Sequence, residues 1–432
     1  MHIYFSGIGG AGISSLALMA KQVGFEVSGS DKQDNHNLRY LSEKGITNTH
    51  VGQTWDQIAE VHQKHAIDWL VYTSALPMEQ PDADELRFCR EKGIKATKRD
   101  DFLNYLLKHQ KLNMIAIAGT HGKTTTTAMT IWLFKQLGIP VSYSVAGSIS
   151  FGETAQLDPN SQYFIYEADE FDRNFLSFNP ALSLITGIDW DHPDIYPTRE
   201  VYYQAFRDFL RQSEKTILWD SDAERLDLEL VKGQIVLDED DTDINEQLHL
   251  AGRVNRLDAW LVAHAVELLT HKPLDELLAH LDAFPGVGRR FEELVPGLIT
   301  DYAHTAPKIR GALQSAHEIA NDNVVVVYEG LHNTRQHFMK EDLKHLFDGV
   351  KKLYIVPSYL AREDPNLPIL KPKDLKRLLN PITQTRTEAT KLNDDLRAHI
   401  RQHLAAGDLV LCITAGGGNS LDEWLRKQFL RK

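Results

Sequence analysis

Cysteine is nearly absent, with two in 432 residues: Cys89, next to Phe88 in a helical pattern, and Cys412, inside an apolar string and far from the first. That excludes a disulfide framework and a cysteine-ligated metal and fits a reducing compartment. Both are expected in the core. Basic charge is also scarce, 47 Lys and Arg against 60 Asp and Glu, for a formal net charge of −13. No basic tract is dense enough to cover a phosphate backbone, so nucleic acid is not an expected partner. No apolar run reaches the ~20 residues a membrane helix needs. The opening MHIYFSGIGG enters a strand and a glycine turn with no basic segment or cleavage site. The expectation is a cytoplasmic protein with no membrane partner.

What is present is ordinary globular usage, 42% apolar and 25% charged. The chain is too long for one core, since single cores stop growing at roughly 250–300 residues. Short apolar strings alternate with helical patterns: HIYFSG, ISSLALMAKQVG, FEVSGSD, NLRYLSEKG, WLVYTSA. Alternation of this kind predicts crossover units and parallel sheets. New series begin at LNMIAIAGT and at GLITDYAHT. The reading is an α/β protein of three domains: a Rossmann-like domain over 1–108, a central P-loop ATPase-like parallel sheet over 109–294, and a Rossmann-like α/β domain over 295–432.

Two glycine loops carry the chemistry. In MIAIAGTHGKTTTT, the turn Gly119, Thr120, His121, Gly122, Lys123, Thr124, Thr125 lies between a buried strand and a helix. Such a turn offers backbone N–H groups, a helix N-terminus and a mobile cation to a triphosphate. The usual loop has a further glycine where Ile117 stands, so this is a shortened variant. A triphosphate site needs Mg²⁺, which favours oxygen ligands. Thr124 is the expected hydroxyl ligand. Glu167, Asp169 and Glu170 end one strand and Asp191 and His192 follow the next, at the sheet edge where ligands bind. Glu167 and His192 are the metal candidates.

The first loop, Gly7, Gly9, Gly10 and Gly12 with Asp31 after the next strand, matches the dinucleotide fingerprint. Alone it suggests NAD and a dehydrogenase. With a second nucleotide loop downstream, it points to a substrate that itself carries a nucleoside diphosphate. Farther on, Arg289 and Arg290, Asp301 and His304, and His332, Thr334 and Arg335 follow strands or a boundary. Arginine forks there suit phosphate or carboxylate.

The order GIGGAG, GSD, TSA, AGTHGKTTT, EADE, DWDH, GRVN, GRRFE, DYAHT resembles the Mur ligases, ATP-dependent amide-forming enzymes of peptidoglycan precursor synthesis, along nearly the whole chain. The N-terminal motifs most resemble the branch that joins L-alanine to UDP-N-acetylmuramate. The resemblance implies a UDP-sugar site in the first domain at Gly7, Gly9, Gly10, Gly12, Ser30, Asp31, Thr73 and Ser74. It implies ATP and Mg²⁺ in the second, with Lys123 on the γ-phosphate, Thr124 and Glu167 on one Mg²⁺ and His192 on a second. Asn255, Arg290 and Asp301 would contact the nucleotide, and His332 and Arg335 the incoming amino acid. A monomer or homodimer is expected. Three departures stand out: Asp258 where the family has a second asparagine, Thr305 after His304, and a shortened loop at 331–338. A lysine found in later ligases of the pathway is replaced by Phe206, which favours the muramate branch. Two alternatives remain, a recycling ligase that attaches a preformed tripeptide to the same UDP-sugar, and a non-catalytic regulator switched by nucleotide.

Overall fold

Strand β1 (His2–Ser6) is buried along its whole length. Its side chains alternate between two cores, as the period of a strand requires. Ile3 and Phe5 pack with Ile13, Ala17, Trp69 and Phe102 on one face, and Tyr4 packs with Ile58, Val61, Leu70 and Phe88 on the other. A strand buried on both faces has helices on both sides of its sheet. Four parallel partners complete that sheet: β2 (Glu26–Asp31), β3 (Thr49–Val51), β4 (Trp69–Tyr72) and β5 (Lys95–Lys98), in the order β3-β2-β1-β4-β5. The order reverses at β1, so the carboxyl edge beside it is where a ligand site is built. The computed structural model describes every residue except 74, 75, 78, 79, 192–194, 230–232, 361, 362, 415–417, 431 and 432.

The second sheet has seven strands: β6 (Asn113–Ala118), β7 (Ser142–Ser144), β8 (Ala155–Gln156), β9 (Tyr163–Glu167), β10 (Leu182–Ile185), β11 (Thr216–Trp219) and β12 (Gln234–Leu237). They run in the order β12-β11-β10-β6-β9-β7-β8, parallel except for the short β8 at the edge. Strands β9 and β10 flank β6. Sequences that end in carboxylates are thereby set on both sides of the glycine loop that leaves β6.

The third sheet comprises β13 (Glu292–Val295), β14 (Leu298–Asp301), β15 (Val324–Leu331), β16 (Lys352–Tyr359), β17 (Thr387–Ala389) and β18 (Leu409–Ile413). The order is β13-β14-β18-β15-β16-β17, with only β13 antiparallel. The run of valines in β15 again divides by parity, Val324 and Val326 to one core and Val325 and Val327 to the other.

These sheets fall in two compact units. One comprises Met1–Ala146, Phe151–Asp241 and Leu261–Leu281, with the first two sheets, and the other Gly147–Ser150, Thr242–Trp260 and Asp282–Lys432, with the third. The division near residue 108 therefore separates two sheets of one compact unit. Cys89 and Cys412 are both buried and unpaired with each other, and burial pushes the Cys89 thiol up to about 12. Among the described residues no helix is long and apolar enough to cross a membrane.

Candidate active site

Where β6 ends, the chain turns through Gly119 at φ +140 and Gly122 at φ +75 into the helix Lys123–Gln136. A Cβ on Gly119 would meet Thr186 Oγ1 at 2.4 Å and Gly187 O at 2.9 Å, so only glycine lets the loop lie against the segment after β10. That segment holds the loop in place: Thr120 N–H donates to Gly187 O at 2.8 Å, and Thr120 Oγ1 to Asp189 O at 2.6 Å. The Tyr202 hydroxyl lies 2.8 Å from Thr120 Oγ1. His121 Nε2 sits 3.3 Å from Asp189 Oδ2, and the ring holds that carboxyl below the usual aspartate value.

Lys123 and Thr124 open the helix, with Thr125 beside them. Lys123 Nζ donates to Gly119 O at 2.5 Å and to Glu170 Oε2 at 2.6 Å. The Glu170 side chain is only 2% exposed, so this is a buried ion pair. Burial pulls the ammonium down, but the charges of Glu170, Asp169 and Glu167 outweigh it and leave its pKa above the ordinary lysine value. Glu170 is fixed in turn by the Tyr196 hydroxyl, which donates to its backbone oxygen at 2.6 Å, and Tyr196 packs edge-on against Tyr202. The two tyrosines thus connect the base of the loop to the partner of its lysine.

Thr124 Oγ1 donates to Glu167 Oε1 at 3.1 Å, across the carboxyl edge of β6 and β9. A hydroxyl and a carboxylate meeting beside a phosphate loop form the hard-oxygen donor set that Mg²⁺ takes. These two residues fit the metal. His192 lies outside the described residues. Another group within reach of a metal, His2, Glu26 and His65, stands at the amino ends of β1 and β2. Both ring nitrogens of His2 already have partners there, Ser28 Oγ at 2.7 Å and His65 O at 3.2 Å.

At the first loop, Gly7 N–H and Ile8 N–H donate to Ser30 O at 2.8 and 2.9 Å. Gly10 is the N-cap of the helix Ala11–Gln22, which presents its amino end at the loop. Asp31 Oδ2 accepts from Gly9 N–H at 2.8 Å, so the acid expected for a ribose hydroxyl also stiffens the turn. Thr73 lies against Gly7. Ser74 lies outside the described residues. The Ser30 side chain faces away from the loop, donating to buried Glu85 Oε1 at 2.5 Å.

Glu85 also accepts from Tyr4 OH at 2.8 Å and from Ser6 Oγ. It is a fully buried carboxylate behind the loop, and burial raises its pKa despite these donors. In the folded chain it holds its proton to higher pH than when unfolded. Its contribution is therefore complete below the ordinary glutamate range and is lost as pH rises through the raised value. Glu85→Gln is expected to flatten this dependence. Calorimetric melts from pH 4 upward should show the variant gaining on the parent chain as pH rises; a gap that is constant with pH would contradict the assignment.

In the second unit, Asp301 ends β14 and accepts from Phe291 N–H at 2.7 Å, and burial raises its carboxyl. Arg289 and Arg290 lie over the Tyr302 ring at 4.8 and 5.1 Å. His304 is surrounded by Lys308, Arg335 and Arg290, and burial together with those charges holds its imidazole well below the usual value. His332 follows β15 at φ +59, and Arg335 Nη1 is buried without a hydrogen-bond partner among the described residues. The carboxyl edge of β14 and β15 thus gathers Arg290, Asp301, His304, Lys308 and Arg335. Asn255 turns back on its own helix start, Nδ2 donating to Ala251 O at 2.7 Å. Asp258 is buried. The sequence reading did not find the pairing of Glu170 with Lys123, the Asp189 contact to His121, or Glu363, which accepts from Thr334 N–H at 2.9 Å.

Comparison with known proteins matches residues 2–111 to the Mur ligase family catalytic domain and residues 117–246 to the Mur ligase middle domain. The UDP-N-acetylmuramate–L-alanine ligase of Syntrophomonas wolfei is 31% identical over 84% of this chain and 83% of that protein. The crystal structure of the UDP-N-acetylmuramate-alanine ligase of Thermotoga maritima superposes with a TM-score of 0.74 at 22% identity, covering 99% of this chain and 98% of that one. A murein peptide ligase from Psychrobacter arcticus gives 0.64 at 21% identity, covering 100% and 98%. The two structures show that the three-sheet fold is shared.

Proposed function

The chain belongs to the Mur ligase family of ATP-dependent, amide-forming ligases, and from that premise we propose that it joins L-alanine to the lactyl carboxylate of UDP-N-acetylmuramate through an acyl phosphate. The observation that supports this best is the pair of unlike glycine loops at the carboxyl edges of two parallel sheets, one with an acid at its turn and one with a buried lysine. In this reading, residues 1–108 hold the UDP-sugar, 109–294 hold ATP and Mg²⁺, and 295–432 hold the amino acid at His332 and Arg335. Asn255, Arg290 and Asp301 serve the nucleotide.

A free carboxylate is a poor electrophile because hydroxide is a poor leaving group, and phosphorylation replaces that group with phosphate. The muramyl carboxylate attacks the γ-phosphorus and ADP departs. The alanine amine then attacks the carbonyl, loses a proton, and phosphate leaves. Catalysis of the first step rests on positioning and charge. The loop N–H groups and Lys123 hold the phosphates, and the lysine, with two of its three donors on Gly119 and Glu170, has a third for a phosphoryl oxygen. Thr124 and Glu167 would hold a Mg²⁺ ion, which would supply neutralisation of the charge that develops in phosphoryl transfer.

An acceptor screen with mass detection tests the reading. With ATP and UDP-N-acetylmuramate, L-alanine should give a UDP-linked amide together with ADP. Product from a preformed tripeptide alone would make the chain a recycling ligase. Nucleotide-dependent binding of a protein with no amide product would make it a switch.

A further inference from the structure

Arg99 opens the helix Arg99–Gln110 directly after β5, at the carboxyl edge of the first sheet. Its guanidinium reaches the first glycine loop: a Cβ on Gly12 would sit 2.4 Å from Nη1. Burial works against its charge, and the Asp169 carboxylate just after β9 supports it. The side chain is 22% exposed, and its nearest ion-pair partner, Asp100 Oδ1, is 3.4 Å from Nε. That contact lacks hydrogen-bond geometry, since the buried Nε and Asp100 Oδ1 are both without a hydrogen-bond partner among the described residues. A neighbouring cation does not share this arrangement: Lys98 is committed to Asp172 at 3.2 Å. A largely buried guanidinium with an unmet donor is costly unless an acceptor arrives, and its fork matches phosphate and carboxylate oxygens.

We propose that Arg99 is a substrate-binding residue whose guanidinium takes an oxyanion of the UDP-linked substrate. Proximity to Gly12 favours the diphosphate, because the amino end of the helix Ala11–Gln22 directs its N–H groups to the same place. The lactyl carboxylate is the other oxyanion of that molecule. The inference rests on the UDP-sugar reading given above. It also accounts for Gly12, whose missing side chain leaves room for the guanidinium.

Calorimetric titration with UDP, UDP-N-acetylglucosamine and UDP-N-acetylmuramate tests it on the full chain, with ADP as the control. Arg99→Met is expected to weaken all three UDP ligands roughly 10- to 100-fold, the range for charge-assisted hydrogen bonds. Its ADP affinity should be unchanged, even where the melting temperature falls because buried Asp100 loses its neighbouring charge. Gly12→Ala, which displaces the guanidinium, should weaken the same ligands, and the double variant should be no worse than the weaker single one. Weakening confined to UDP-N-acetylmuramate would assign the contact to the lactyl carboxylate. Affinities equal to the parent chain's for all three ligands, or a lower melting temperature with ADP binding lost in parallel, would overturn the proposal, as would additive losses in the double variant. A parent chain that binds ADP but no UDP compound would instead remove the UDP-sugar reading on which it stands.

Discussion

Lys123→Met is expected to reduce ADP formation roughly 10²- to 10³-fold, the loss seen when one preorganised charge-stabilising donor is removed, while UDP-N-acetylmuramate still binds. The expectation has two parts because Lys123 has two jobs. In the catalytic one it meets the phosphoryl oxygens; in the structural one it neutralises Glu170, which is 2% exposed and 2.6 Å away. Removing one member of a buried pair typically costs about 3–5 kcal/mol, much of it from the charge left behind. The single variant should therefore melt lower as well as turn over more slowly. Adding Glu170→Gln removes the stranded charge and should restore the melting temperature without restoring ADP formation. If both recover together, the lysine acts through folding and not on the phosphates.

The second large effect is expected at Glu167. Glu167→Gln keeps the size of the side chain and an oxygen for Thr124, 3.1 Å away, but loses the charge that a divalent cation requires. Metal assistance to phosphoryl transfer is worth several kcal/mol, and each ~1.4 kcal/mol is a factor of ten. Turnover should fall roughly 100-fold or more at fixed Mg²⁺, and higher Mg²⁺ should recover part of it. A titration of rate against Mg²⁺ checks this. An unchanged Mg²⁺ dependence would remove Glu167 from the metal site. Stability should change little, because the Glu167 contact to Thr124 survives.

The parts of the site that are contiguous in sequence were legible from it. Gly119 to Thr124 reads as strand, turn and helix because each piece carries its own local signal: a buried run, two glycines, and a lysine and threonine at a helix start. The alternation of strands and helices likewise carried the three parallel sheets, because burial on both faces leaves continuous apolar runs. What was not legible depends on sheet order. Glu170 meets Lys123, and Asp189 meets His121, only because β9 and β10 flank β6. Arg99 reaches Gly12 only because β5 and the glycine loop share the carboxyl edge of one sheet.

Ser30 shows the opposite case. The motif places it beside the loop, yet strand parity turns its hydroxyl toward Glu85 and leaves its carbonyl to the loop N–H groups. In the second unit, Arg290, His304 and Arg335, far apart in the sequence, gather at the edge of β14 and β15, where burial and the neighbouring positive charges hold the His304 imidazole well below its usual value.

The central claim is that the two glycine loops grip two different phosphorylated molecules. Sequential calorimetry measures it most directly: saturate the chain with UDP-N-acetylmuramate, then titrate Mg²⁺–ADP. The account predicts that each ligand binds at its own site and that neither displaces the other. Binding of ADP with no uptake of the UDP-sugar, or displacement of one by the other, would contradict it.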